Sequence, residues 1–151
     1  MNIQILPLLK GAKEATGLTV IIDVFRAFSL EVYLHEKAVK AIFPVQKIEE
    51  AFALKKIYPE AILIGERNGI QINGFDYGNS PSEIIDQDLR DKIIIHTTSA
   101  GVQGIMNATK ADEMVTGALV NAKATISYIQ RKKCDIVSIV PMGWNGKRMS
   151  E

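Results

Sequence analysis

A single cysteine, Cys134, stands among the 151 residues, so no internal disulfide braces the chain. It lies in an apolar run and reads as a small core residue rather than a reactive thiol. No stretch of eighteen apolar residues occurs, and so no membrane span is expected. The N-terminus, MNIQILPLLKGAKEATG, lacks the basic start, long apolar segment and small-residue cleavage site of a secretory signal, and a cytoplasmic location is expected. Neither sign of charge dominates. The net charge of +1 gives no general attraction to nucleic acid or to an anionic membrane surface. The G-x-x-x-x-G-K-[ST] loop that cradles nucleoside triphosphates is missing, as are G-x-G-x-x-G after a strand and the G-x-S-x-G nucleophile elbow.

What is present is ordinary for a globular domain: 47% hydrophobic and 23% charged residues, in a length that supports one real core. Apolar runs rich in Ile and Val are expected as strands over Thr19 to Val24, Val39 to Pro44, Ala61 to Gly65, Lys92 to His96, Glu113 to Gly117 and Asp135 to Val140. Amphipathic segments between them are expected as helices over Ser29 to Lys37, Lys47 to Tyr58, Ala100 to Thr109 and Asn121 to Lys132. The strand runs are continuous rather than alternating, the mark of burial on both faces. Strand and helix alternate, which predicts one α/β domain over residues 1–151: a three-layer α/β/α sandwich with a mainly parallel sheet. Residues 66 to 81, ERNGIQINGFDYGNSP, break that rhythm as a long loop or small hairpin. Irregular segments of that length are uncommon in compact domains without a use. In the following SPSE, Ser80 suits a helix cap, Pro81 the first helical position and Glu83 the capping box; a ligand role is the alternative for Ser80 and Glu83.

Ligands of an open parallel sheet bind outside the carboxyl ends of its strands. The residues that follow the strands there are Asp23 and Arg26; Glu66, Arg67 and Asn68; Thr97, Thr98, Ser99 and Gly101; Gly117 and Asn121; and Gly143, Trp144, Asn145 and Gly146. If the strands are parallel, these clusters share one edge and assemble one site. Arg26 and Arg67 suit bidentate capture of phosphate, sulfonate or carboxylate. TTSAG, leading from strand to helix, offers backbone N–H groups to an anion. Asp23 and Glu66 are hard oxygen ligands of the kind magnesium takes, and acids beside arginines make sense when a metal joins an anionic substrate. Bland readings stand beside these: a local ion pair for Asp23 and Arg26, a helix cap for TTSAG, solvated charges for Glu66 and Arg67, and a core-rim aromatic for Trp144. His35 and His96 show no metal-ligand spacing and read as structural. The D-x-D pair of haloacid-dehalogenase-type aspartyl-phosphate enzymes is absent, since Val24 and Phe25 follow Asp23.

The same segments carry a resemblance. IDVFRAFS (22 to 29), PVQKIEEA (44 to 51), GERNG (65 to 69), IQINGFDYGNSPSE (70 to 83), TTSAGVQG (97 to 104), TGALVNA (116 to 122) and GWNG (143 to 146) resemble the 2-phosphosulfolactate phosphatase family, in the family's order. The resemblance implies a three-layer α/β fold and magnesium-dependent hydrolysis of the phosphate ester of a small anionic hydroxy acid. Its named reaction turns 2-phosphosulfolactate into sulfolactate and phosphate on the way to coenzyme M. Carried onto this chain, it implies Asp23 and Glu66 at magnesium, Arg26 and Arg67 on phosphate or sulfonate, and substrate contacts from Asn79, Ser80, Thr97, Thr98, Ser99, Gly101, Asn121 and Asn145. Family members read R-A-T-S where RAFS stands here, and TTTNGT where TTSAGV stands, which marks Phe28, Ala100 and Val102 as departures. They also continue beyond the GWNG segment, so these residues are expected to form the N-terminal part of a longer family fold. The alternative expectation is a truncated or degenerate member that binds an organic anion without turning it over. Association into a homo-oligomer would then hide apolar surface.

Overall fold

The computed structural model describes residues 1–143 and 147. Its strands are β1 (Asn2–Ile5), β2 (Gly17–Ile22), β3 (Ala41–Pro44), β4 (Ile62–Arg67), β5 (Ile70–Gln71), β6 (Ile93–Thr97), β7 (Ala111–Gly117) and β8 (Ile136–Pro141). Its helices are α1 (Leu8–Glu14), α2 (Ala27–Glu36), α3 (Ile48–Ile57), α4 (Pro81–Ile84), α5 (Gly101–Asn107) and α6 (Ala122–Lys132), with a single 3₁₀ turn at Leu119–Asn121.

The α/β class and the parallel pairing match the expectation. The strands, however, fall into two four-stranded sheets rather than one: β1-β8-β2-β7, all parallel, and β3-β6-β4-β5, in which only β5 runs antiparallel. The physical reason is that a continuous apolar run specifies burial on two faces but not which strands are neighbours. The second sheet is covered on both faces. Outside, Leu63 and Ile95 pack with Ala51 of α3 and with Ile72 and Phe75 of the long loop. Inside, Ile64 and Ile94 pack against Leu30 and Leu34 of α2. The same helix turns Ala27 and Phe28 toward Ile21 and Val140 of the first sheet. So α2 is buried along a wide arc and has no clean polar face, because it fills the space between two sheets. The helix α5 lies beside it and touches β2 of one sheet and β3 and β6 of the other.

Two short segments decide the site. Asn68 and Gly69 connect β4 to β5 with φ of 55° and 79°. A two-residue hairpin with both central residues at positive φ is the turn that Asn-Gly favours. Residues 72 to 80 then return along the edge of β4. Asp76 anchors this passage, its Oδ2 accepting from Leu63 N at 2.8 Å, and Gly65 N donates to Tyr77 O at 3.1 Å. Pro81 opens α4, and Glu83 accepts from Gly78 N (2.7 Å) and Ser80 N (3.3 Å), the half of the capping box the sequence anticipated. The long loop is thus ordered cover, and it delivers Asn79 to the seam between the sheets.

Candidate active site

The carboxyl ends of β2 and β8 in one sheet and of β4 and β6 in the other open onto one small cavity. Asp23, Phe25, Arg26, Glu66, Gly69, Asn79, Ser99, Ala100 and Gly143 line it. The cavity therefore sits at a seam, and each sheet contributes one carboxylate.

Those carboxylates are held by the start of α5. Asp23 Oδ2 accepts from Gly101 N at 2.9 Å. Glu66 accepts from Ser99 N at 2.6 Å through Oε1, and from Ser99 Oγ (3.1 Å) and Gly69 N (2.7 Å) through Oε2. The TTSAG turn, read from sequence as a cradle for an oxyanion, directs these donors at the protein's own acids. Thr98 caps the same turn, its Oγ1 accepting from Val102 N at 3.0 Å. Only glycine fits at 101. A Cβ there would lie 2.8 Å from Asp23 Oδ2, 2.9 Å from Ala27 Cβ and 3.0 Å from Phe28 Cζ. Burial pushes the Asp23 carboxyl above its ordinary range, against the pull of the Gly101 and Ala27 N–H groups; neighbouring Glu66 adds to the rise and His96 opposes it.

The two arginines part company. Arg26, at the start of α2, lines the cavity. Arg67 turns into the protein. Its Nη1 donates to Glu66 O (2.8 Å) and its Nη2 to Gln46 O (3.0 Å) and Thr97 Oγ1 (2.8 Å). Burial lowers its pKa, and Glu66 and Glu49 partly restore it. Arg67 and Thr97 thus brace the end of β4 against β6. Ser80 Oγ faces Ser82 Oγ at 2.8 Å. Asn121 lies apart: its Oδ1 accepts from Ala118 N (2.7 Å) and its Nδ2 donates to Thr116 O (2.9 Å), closing the turn after β7. Asn145, with Trp144 and Gly146, lies outside the described residues. Of the departures from the family pattern, Phe28 and Val102 are buried in the core and Ala100 faces the cavity.

The structure pairs His96, read from sequence as structural, with Glu31, which sequence reading passed over. His96, fully enclosed, meets Glu31 Oε1 through Nδ1 and Asn79 Oδ1 through Nε2, both at 3.1 Å. Glu31 did leave a trace. It sits on the stripe of α2 shared with Ala27 and Leu34, where an apolar residue is expected.

Magnesium fits the chemistry of the lining. Among the described residues no cluster of three or more His, Cys, Asp or Glu side chains is poised for a metal. Magnesium needs no such cage, since it binds through one or two carboxylates and keeps waters and substrate phosphate oxygens. Asp23 and Glu66 would supply that pair.

Fold and cavity together define an α/β protein with a small, acid-lined site at the seam between two mainly parallel sheets. Residues 5–151 match the family model described as 2-phosphosulpholactate phosphatase, and the chain belongs to that family. It is 38% identical over 135 residues to a protein named probable 2-phosphosulfolactate phosphatase from Carboxydothermus hydrogenoformans, a match covering 89% of this chain and 55% of that one. A protein of the same name from Bacillus subtilis is 37% identical over 114 residues, covering 76% of this chain and 50% of that one. The chain spans about half the length of these curated relatives. Among the described residues, no helix is long and apolar enough to cross a membrane.

Proposed function

We propose that the cavity is the phosphate-ester site of a magnesium-dependent phosphatase acting on a small anionic hydroxy acid, with 2-phosphosulfolactate as its substrate. The observation that carries this reading is the charge of the lining. Among the described lining residues two carboxylates face one guanidinium, a net charge of −1, which repels a phosphate ester. A divalent cation on Asp23 and Glu66 reverses that sign. The same ledger speaks against a passive anion binder, because the backbone donors of the TTSAG turn are already spent on the acids.

Magnesium, when bound, neutralises phosphoryl charge and polarises the phosphorus–oxygen bonds. The chain's own residues do the rest. Arg26 holds non-bridging oxygens by paired N–H bonds. Water attacks phosphorus, the ester P–O bond breaks, and the departing oxygen takes a proton, giving alcohol and phosphate. Asp23, as a carboxylate beside the cation, orients the attacking water, whereas the three hydrogen bonds that Glu66 accepts hold it in place. Glu66 keeps the turn in register and presents a fixed anion.

The test is phosphate release from 2-phosphosulfolactate by this 151-residue chain, with magnesium, with chelator, and by Asp23→Asn. Release that needs magnesium and vanishes with the substitution is the expected result. Release that survives chelator, or Asp23→Asn at wild-type rate, overturns the assignment.

A further inference from the structure

The buried pair Glu31 and His96 has no part in the steps above, yet it is expensive. Two ionisable side chains lie between the sheets, Glu31 at 6% and His96 at 0% exposure. A buried pair of this kind is commonly no more stabilising than apolar residues of the same volume. Stability therefore does not account for it. Its far end does: His96 Nε2 contacts Asn79, and Asn79 lines the cavity.

With the amide placed as it is, Asn79 Oδ1 faces His96 Nε2 as an acceptor, and Nε2 then carries the hydrogen. On the other side Nδ1 faces Glu31 Oε1, so one further proton is shared between ring and carboxyl. Whichever atom holds it, the pair is neutral overall and Nε2–H stays turned to Asn79. A flipped Asn79 amide would instead call for a bare Nε2 lone pair facing Nδ2. With Oδ1 committed, the Nδ2 hydrogens are left over. Asn79 Nδ2 has no hydrogen-bond partner among the described residues, and Asn79 lines the cavity.

We propose that Glu31 and His96 are positioning residues that lock the Asn79 amide with Nδ2 aimed into the cavity, as a neutral donor for an oxygen of a phosphoryl or comparable anion. This rests on the phosphate-ester reading for the ligand but not for the amide's orientation. The lock suits a cavity that is already negative, because an amide adds a donor without an acceptor facing the anion.

The experiment is nitrogen-15 NMR of the full chain. Long-range proton–nitrogen correlations report the protonation of His96 Nε2, and the Asn79 side-chain NH2 signals are followed while inorganic phosphate is added with magnesium. Expected are a protonated Nε2 and Asn79 NH2 signals that move with phosphate. The paired variant Glu31→Leu with His96→Phe replaces the pair by apolar residues and so avoids stranding a buried charge. It is expected to fold, yet to lose the phosphate-dependent shift and to lower kcat/KM by about tenfold or more, the effect of one missing hydrogen bond to a charged group. Glu31→Gln is expected to rescue, since its amide can donate to Nδ1 and leave Nε2–H on Asn79. A bare Nε2 lone pair in the wild type, or a folded paired variant with unchanged shifts and kinetics within twofold, overturns the proposal. The ring protonation needs no turnover and no bound anion, so it decides the orientation even if the phosphatase reading fails.

Discussion

Glu66→Gln and Asp23→Asn each swap a carboxylate for an amide in the same cavity, yet the hydrogen bonds predict opposite stabilities. Glu66 is 6% exposed and accepts three hydrogen bonds, two from backbone N–H groups. Glutamine has one acceptor oxygen. If it serves Gly69 N and Ser99 Oγ, its NH2 is pressed against Ser99 N, which has no other partner among the described residues. Bonds to charged groups contribute about 1.5–3 kcal/mol each, and an unsatisfied buried donor costs about 1–3 kcal/mol. Losing one bond and weakening the others amounts to about 2–4 kcal/mol. For a chain of this size that lowers Tm by roughly 5–15 °C. Asp23 differs in two respects. Its Oδ2 accepts from Gly101 N, a bond an asparagine oxygen can keep, and burial, which outweighs the pull of the Gly101 and Ala27 N–H groups, already disfavours its charge. Asp23→Asn should melt at or above the wild-type temperature while abolishing phosphate release. Thermal melts followed by circular dichroism, beside the release assay, measure both. A Glu66→Gln protein melting within about 2 °C of wild type would refute the view that this acid staples the hairpin to the TTSAG turn.

The pH dependence of Asp23 has a definite sign: its folded pKa lies above its ordinary value of about 3.9, so its stability contribution is complete below that pH and is lost as pH rises through the folded value. Denaturant titrations should therefore show the advantage of Asp23→Asn over wild type growing as pH rises from about 4, and a constant difference would contradict the raised pKa. Gly101→Ala places a methyl 2.8 Å from Asp23 Oδ2 and is expected to cost about 1–3 kcal/mol by overpacking, with loss of phosphate release, in the same two assays. Arg26→Gln should weaken substrate binding at least tenfold with little change in Tm, whereas Arg67→Gln should lower Tm by several degrees, because only Arg67 is tied to two carbonyls and Thr97. Kinetics and melting curves on the two variants separate those roles.

Much of this architecture was legible in the chain. The Ile- and Val-rich runs at β2, β4, β6 and β8 announce two-sided burial, and the rule that sites lie beyond strand carboxyl ends gathers Asp23, Arg26, Glu66 and Ser99 correctly at one place. β1 and α1 escaped notice. NIQI is only four residues long, lies at a sheet edge and leaves Ile3 and Ile5 exposed, so it lacks a buried run. The duties of Arg67 and Asn121 were illegible for another reason. Both bond main-chain carbonyls, and every residue carries a carbonyl, so no residue type signals the partner. His96 and Glu31 stand 65 positions apart, and only the packing of α2 over β6 brings them together.

That the two acids rest on main-chain N–H groups bears on how the family can vary. A side-chain donor is lost by one base change in a codon. The N–H groups of Ser99 and Gly101 belong to the backbone, and of the twenty amino acids only proline deletes one. Position 100 lies between them, faces the cavity, and carries nothing but a methyl group. Anchoring and tailoring are thereby assigned to different atoms of one turn. The residue at 100 can be exchanged without touching either N–H group, and the acids remain where the start of α5 holds them.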